Sequence, residues 1–446
     1  METRQQMLRS LLDAKLKILP ALTLVNPHSA FILLKYCVNA RAMYLARVCE
    51  ITQRQEIFSN FDQEVLACSA TIASAQLTSE FKTLHGLPGR WNGLGIIPHS
   101  GYEGQRQLVN SRDLCSSRVR IYHDYLQRAV DQWELQEIEK YPSALIIAPG
   151  APTGSTGTVP RIPESSAANF EDEPTLLHYV RAHQERQWKA LHTTLIDSNR
   201  PAQAAWLLSS SHKGSGRWLD WRGGVQTRFC LSPNNFRDAL RLRLLLPPCT
   251  QSPAVPPTCR CDAAVNVHDE PYHVLDCKYA CQFFWRKRHE KVIDLLAGFL
   301  RACLGRGVVI ERELSMRNER LNKNVVCDLH VVHECEVYTI DVTICDPAAR
   351  RYRDQGSPHD ATTASKHRAA EKKAIYTGIQ NVGTIVPFVI DATGRFSKDA
   401  TTFIDTISSS SDHSMQRSYF FSNVSSCIAM YNSRLMKATR SSLMGQ

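Results

Sequence analysis

Two short runs constrain this chain more than anything else in it: Val325-Val-Cys-Asp-Leu-His-Val-Val332 and Tyr338-Thr-Ile-Asp-Val-Thr-Ile344. β-Branched residues dominate both, and their closeness predicts an antiparallel hairpin through Cys335-Glu336. Each run carries one aspartate, Asp328 and Asp341, with twelve residues between them. Side chains alternate along a strand, so Ile340, Val342 and Ile344 face one side and Thr339, Asp341 and Thr343 the other; Asp328 shares its face with His330. A carboxylate inside an apolar strand is costly unless it is paired or bound to a cation. Two carboxylates on neighbouring strands suit a hard divalent ion, Mg²⁺ or Mn²⁺, which keeps several waters and accepts a phosphate oxygen. Such an ion activates a bound water, and a nearby lysine would neutralise the developing charge. The plainer alternative is a pair of aspartates at strand edges, touching solvent.

Upstream lies a helix, Trp285–Cys303, with Val292, Leu295, Leu296, Phe299 and Cys303 at helical spacing. It opens with Arg286-Lys-Arg-His-Glu-Lys291, and cations at a helix N-terminus oppose the macrodipole. An anionic partner such as a phosphate backbone would offset that cost; a solvated basic face is the alternative. A short strand near Val308–Glu311 follows the helix. Before it stand Cys259, Cys261, His273 and Cys277 in the pattern C-x-C-x11-H-x3-C. Four thiolate or imidazole ligands suit tetrahedral zinc, and on one helical turn His273 and Cys277 would face the same way. His268 and Cys281 are rival ligands. The 15 cysteines are odd in number and mostly spread out, and METRQQMLRSLLDAKLKILP is no secretory signal. Reduced thiols are therefore expected, and clustered cysteines read as metal ligands. The longest apolar run, around Ala30–Val38, is broken by Lys35 and too short to span a bilayer.

The net charge of +10 favours an acidic partner, nucleic acid first. Arg286, Lys287, Arg288, Arg350, Arg351 and Arg353 are the candidate contacts. Arginine beside aromatics, at Arg217-Trp218-Leu-Asp-Trp221-Arg222 and Arg350-Arg351-Tyr352-Arg353, suits phosphate contact with base stacking, or else ordinary core aromatics beside solvated arginines.

The expected architecture is α+β and multidomain. Residues 1–141 read as helical, with helices over Ala30–Cys49 and Gln105–Lys140 and a turn over Gly86–Gly95. Residues 142–175 are a Pro/Gly/Ser/Thr-rich linker. Residues 176–250 are helical, with a helix capped by Ser232 and opened by Pro233 that runs to about Leu246. The zinc knuckle occupies 251–282, an α/β domain 283–405, and a weakly ordered polar tail 406–446. No Walker A loop, G-x-S-x-G elbow or H-E-x-x-H occurs.

The order of these features resembles the C-terminal region of non-LTR retrotransposons of the restriction-like-endonuclease class. The resemblance runs from about residue 15 to 405. It rests on Leu33–Leu45, Gly93-Leu-Gly95, Phe236-Arg-Asp-Ala-Leu-Arg-Leu-Arg-Leu244, the knuckle, Arg288-His289-Glu290, the two aspartate strands, and Val386-Pro-Phe-Val-Ile-Asp-Ala-Thr-Gly-Arg395. It implies a PD-(D/E)xK nuclease fold that nicks target DNA so that the free 3′-hydroxyl primes reverse transcription. Asp328 is then the first acid and Asp341 the second. Cys327 stands where the family usually has Pro, and Thr343 where a restriction-type site has its lysine. Family lysines often sit on the following helix, where this chain has Lys366, Lys372 and Lys373; Lys372 is the favoured one. Glu290 and Glu311 are further candidate carboxylates. The resemblance also implies element RNA as a partner, association with a separate reverse transcriptase, and a nuclear location. No Tyr/Phe-x-Asp-Asp motif occurs, so the chain is not a reverse transcriptase on its own. A fragment of a longer polyprotein, or a silent nucleic-acid-binding remnant, are the expectations that follow.

Overall fold

Both β-branched runs form strands, and a mixed α+β architecture surrounds them. The computed structural model describes residues 4–48, 51–100, 176–212, 214–220, 231–246, 272–277, 282–380, 382–409 and 413–443. The Gln105–Lys140 helices, the 142–175 linker, and Cys259, Cys261, His268 and Cys281 of the expected knuckle lie outside the described residues. Backbone contacts divide the chain into two units, one of residues 1–24, 33–69 and 96–188, the other of residues 25–32, 70–95 and 189–446. Among the described residues no helix is long and apolar enough to cross a membrane.

The first unit is helical where it is described, with α1 (Arg4–Leu16) and α2 (Leu19–Leu24). The expected single helix over 30–49 is three segments: α3 (Pro27–Leu33), a π-helical stretch (Leu34–Asn39) and α4 (Ala40–Val48). The wider π turn ends at buried Asn39, whose side-chain and backbone oxygens lie 2.9 and 3.1 Å from His99 Nε2. A π turn shifts the carbonyl ladder, which leaves an acceptor for a partner outside the helix. α5 (Ile51–Ile72) contributes Phe58, Phe61 and Val65 to this unit's core.

The second unit holds the sheet. α6 (Ser79–Gly86) is capped by Thr78 and leads into the expected turn. There Gly93 is obligatory, because a Cβ would fall 1.7 Å from the Leu87 carbonyl oxygen. Buried Arg243 donates to the carbonyls of Gly89 (2.9 Å) and Gly93 (3.2 Å), and Asn92 Nδ2 donates back to the Arg243 carbonyl at 2.6 Å. Arg243 is the last residue of a helix far along the chain, so the Gly-Leu-Gly turn and that helix form one clamp. α7 (Leu176–Asp197) and α8 (Pro201–Ser210) precede that helix, α9 (Pro233–Arg243). Ser232 accepts the Asn235 N–H as the expected N-cap. The helix stops short of Leu246 because Leu245 is left-handed, with φ +60.

α10 (Gln282–Leu304) leads to strands β1 (Val309–Asn318), β2 (Lys323–His333) and β3 (Glu336–Cys345). Next come α11 (Arg350–Arg353), α12 (Thr363–Tyr376), β4 (Thr384–Asp391), α13 (Lys398–Ile407) and α14 (Ser414–Leu443). The sheet order is β1-β2-β3-β4; β1–β2 and β2–β3 are antiparallel and β3–β4 is parallel. Alternation places Cys345 and Val389 against Ala364 and Ala369 of α12. Tyr338 and Phe388 meet Phe403 of α13, and Phe388 also meets Phe420 of α14.

Two expected boundaries change. Residues 414–443 are no weakly ordered tail but a helix that buries Phe420, Val424, Cys427, Ile428, Tyr431 and Leu435. Those apolar residues recur every three or four positions, hidden among serines, and so form one stripe. The stripe packs on α9 and α10, so the helical segment before the expected knuckle and the sheet domain share one unit.

Candidate active site

The ladder between β2 and β3 stops at Leu329↔Ile340. Beyond that pair the strands part: β2 stays paired with β1 and β3 with β4. The β1–β2 ladder also skips the Glu313/Asp328 position, where Glu313 has φ +53. Parting strands orphan the backbone groups on the β3 edge, and buried orphans must find partners. The Val342 N–H donates to Asp328 Oδ2 at 2.6 Å, and the Val342 carbonyl accepts from His289 Nε2 at 2.9 Å. The same imidazole nitrogen lies 3.3 Å from Asp328 Oδ2. Burial alone would lower the His289 pKa; the Asp328 carboxylate, the Val342 carbonyl and Asp341 outweigh it and hold the ring above its ordinary value.

Asp341 stands on the other side of this fork. Lys372 Nζ is 2.8 Å from its Oδ1, and the Tyr376 hydroxyl donates to its Oδ2 at 2.9 Å. Tyr376 also reaches the Val326 carbonyl on β2, at 3.3 Å, so one phenol spans the gap between the parted strands. Asp341 is only 7% exposed at its side chain, and burial raises its carboxyl pKa although Lys372 pulls the other way. Arg368, Lys372 and Tyr376 are spaced by four and share one stripe of α12, which brings all three to the sheet.

The structure thus brings together Asp328, Asp341 and Lys372. Lys366 and Lys373 are elsewhere, paired with Asp360 and Asp399 at 3.1 Å each. Glu290 pairs with Lys287 at 2.9 Å, and Glu311 is exposed on edge strand β1 opposite His330. Neither glutamate joins the site. Buried Cys327 packs with Val325 and Tyr376, taking the place of the expected Pro as an apolar wedge. Among the described residues no group of three or more His, Cys, Asp and Glu is placed to hold an ion. Two carboxylates still fit Mg²⁺, whose other ligands are waters and phosphate oxygens. Asp328 Oδ1 has no hydrogen-bond partner among the described residues, and each Asp341 oxygen keeps a second lone pair.

A cleft of about 560 Å³ opens beside this pair. Trp285, Arg286, Arg288 and His289 of α10 form one wall, Arg368 and Lys372 of α12 another, and Val342–Ile344 of the freed β3 edge the floor. Of the six basic residues expected to meet nucleic acid, Arg286, Arg288 and Arg351 line it; Lys287, Arg350 and Arg353 do not. Arg288 is buried and donates to Asn432 Oδ1 at 2.6 Å, so it also ties α10 to α14. The upstream cluster is core: Trp218 is buried with its ring edge on Phe236, and Arg217 lies over Phe421, while Trp221 and Arg222 lie outside the described residues.

No protein-family model matches this chain, and no curated protein matches it. His273 and Cys277 are not on a shared α-helical turn: His273–Leu275 is a single 3-10 turn and Cys277 lies buried just past it.

Asp346, at the end of β3, is buried in the cleft wall; its Oδ1 accepts the Ala348 N–H at 3.0 Å. Its Oδ2 has no partner among the described residues. Burial, with Asp276 nearby, pushes this carboxyl up from 3.8 to about 8. A raised carboxyl contributes stability that is fully present below the unfolded pKa and is lost as pH rises through the folded one. Asp346→Asn should therefore melt with wild type at pH ~4 and progressively above it toward pH ~8. Equal melting temperatures at both ends would remove Asp346 as the source.

Proposed function

We propose that this chain is a divalent-metal-dependent endonuclease that nicks DNA, built like the PD-(D/E)xK nucleases and derived from a non-LTR retrotransposon. One observation carries the reading: Asp328, Asp341 and Lys372 meet at the β2/β3 fork beside a cleft lined by arginine. Asp328 and Asp341 would hold the cation. When bound, Mg²⁺ supplies an activated water and offsets charge on the phosphate. Lys372, 2.8 Å from Asp341 Oδ1, would put its ammonium against a phosphate oxygen of the substrate, and the Tyr376 hydroxyl on the same helix holds the Asp341 carboxylate by its Oδ2. His289 holds Asp328. Arg286 and Arg351 bind phosphates on either side. The DNA substrate, element RNA, a partnering reverse transcriptase and a nuclear location belong to the same proposal. So does a structural zinc held by Cys259, Cys261, His273 and Cys277.

The alternative is a silent nucleic-acid-binding remnant, favoured by Thr343, which puts no lysine two residues after Asp341. Nicking of supercoiled plasmid with Mg²⁺ or Mn²⁺ separates the two. Open circles formed only with metal support the nuclease. No nicking together with binding that weakens steeply with salt supports the remnant. Within the nuclease reading, Lys372→Ala should slow nicking by about 10²–10³-fold, as expected for a lost charge stabiliser. Lys366→Ala and Lys373→Ala, whose ammonium groups pair elsewhere, should stay within about 3-fold. Equal losses for all three would assign lysine a general binding role instead.

A further inference from the structure

We infer that the cleft beside the aspartates receives a single unpaired nucleotide, so that the preferred substrate is duplex DNA with one displaced base next to the nick. The inference rests on the endonuclease reading and names its substrate class. The cleft's volume of about 560 Å³ falls in the range of sites for one small ligand and is far too small for a duplex. Its lining is also wrong for phosphate alone. Asp276 and Asp346 stand among the arginines, so the cleft presents hydrogen-bond acceptors beside its cations, and phosphate oxygens, which only accept, cannot use them. A nucleobase edge carries N–H donors that carboxyl oxygens accept, together with acceptors for N–H groups.

The unsatisfied groups match that pattern. Asp346 Oδ2, Trp285 Nε1 and Arg368 Nε are buried polar atoms without hydrogen-bond partners among the described residues. All three residues line this one cleft. Buried polar groups left unpaired are costly, and a ligand edge with both donors and acceptors would relieve them. Trp285 adds an aromatic face, the recurring platform for an unstacked base. Arg351, half exposed at the rim, can take the flanking phosphate. Lys372 belongs to both the cleft wall and the Asp341 pair, so a nucleotide seated here would lie next to the phosphate being cut. Enzymes that seat an extrahelical nucleotide bind best where it is already unpaired.

The test is the affinity of the full chain, with Ca²⁺ in place of Mg²⁺, for three duplexes of one sequence: fully paired, with one bulged nucleotide, and with a bulged abasic residue. The bulged nucleotide should bind about 10-fold more tightly than the other two, the scale of one stacked base. Trp285→Ala should reduce that ratio to near one. Arg351→Ala, at an exposed position, should weaken both bulged duplexes toward the fully paired one while leaving base-bearing and abasic bulges in the same ratio, and keeps the test open should Trp285→Ala fail to fold. Equal affinity for all three, or an abasic bulge bound as tightly as the base-bearing one, overturns the inference. If nicking persists with equal affinities, only the nucleotide pocket falls. If none of the duplexes binds, the nuclease reading falls with it.

Discussion

Asp341→Asn should abolish metal-dependent nicking, by about 10³-fold or more, while the protein still folds and still binds DNA. The size follows from the several kcal/mol that a positioned cation contributes to phosphoryl chemistry, at about 1.4 kcal/mol per tenfold. Asparagine has the same shape and can still accept from the Tyr376 hydroxyl. It lacks the charge that holds Lys372 at 2.8 Å and that would ligate the cation. Stability should change little. Burial raises the pKa of Asp341 against the pull of Lys372, so the ionised form gains only part of its pairing energy. Lys372, 22% exposed, can turn toward water once released. Plasmid nicking, a melting curve and a salt titration of DNA binding on one preparation would check all three parts. A variant that nicks like wild type would remove Asp341 from the site; one that neither melts cooperatively nor binds would say only that the carboxylate is structural.

The aspartate pair was legible because two signals coincided: strict alternation, which assigns faces, and a single carboxylate within each of two otherwise uncharged β-branched runs. The fork was not. Parting of β2 from β3 depends on the Asp328 carboxylate taking the Val342 N–H, a contact between residues fourteen apart that strand propensity does not encode. Lys372 came from the family resemblance, although a purely local clue was present. Arg368, Lys372 and Tyr376 recur every four residues, and a tyrosine one turn beyond a lysine marks the face that meets the sheet. Glu290 and Glu311 failed as candidates for the opposite reason. Their chain positions are near the aspartates, but Glu311 lies on an edge strand and Glu290 pairs with a lysine three residues away on its own helix. Cys259 and Cys261, two of the four expected zinc ligands, lie outside the described residues, and the 3-10 turn at His273 departs from the helical turn that spacing suggested.

Deleting residues 414–446 should leave a chain that does not fold, despite the serine-rich composition of that segment. α14 buries Phe420, Val424, Cys427, Ile428, Tyr431, Leu435 and Met436 against the second unit. Each large apolar side chain contributes about 1.5–3 kcal/mol when fully buried. Losing several at once exceeds the roughly 5–15 kcal/mol by which a typical domain is stable. The polar contacts point the same way. Asn432 accepts from the buried Arg288 guanidinium at 2.6 Å and donates to the Ala392 carbonyl at 2.7 Å. Without α14, a charge whose pKa burial has already lowered to about 10 would lose the Asn432 amide oxygen that accepts from it. Its α10 neighbour His289 holds Asp328, so the same helix that closes the core also keeps the candidate site in register. Val424→Asp is the sharper form of the experiment, because it leaves the chain length intact and places one unpaired carboxylate at a position with 0% exposure. Loss of several kcal/mol is expected, enough to unfold a marginal protein. Circular dichroism and urea melts would read it. A soluble, cooperatively folded Val424→Asp variant with wild-type midpoint would mean that α14 detaches without cost, and the site would then have to be held by α10 and α12 alone.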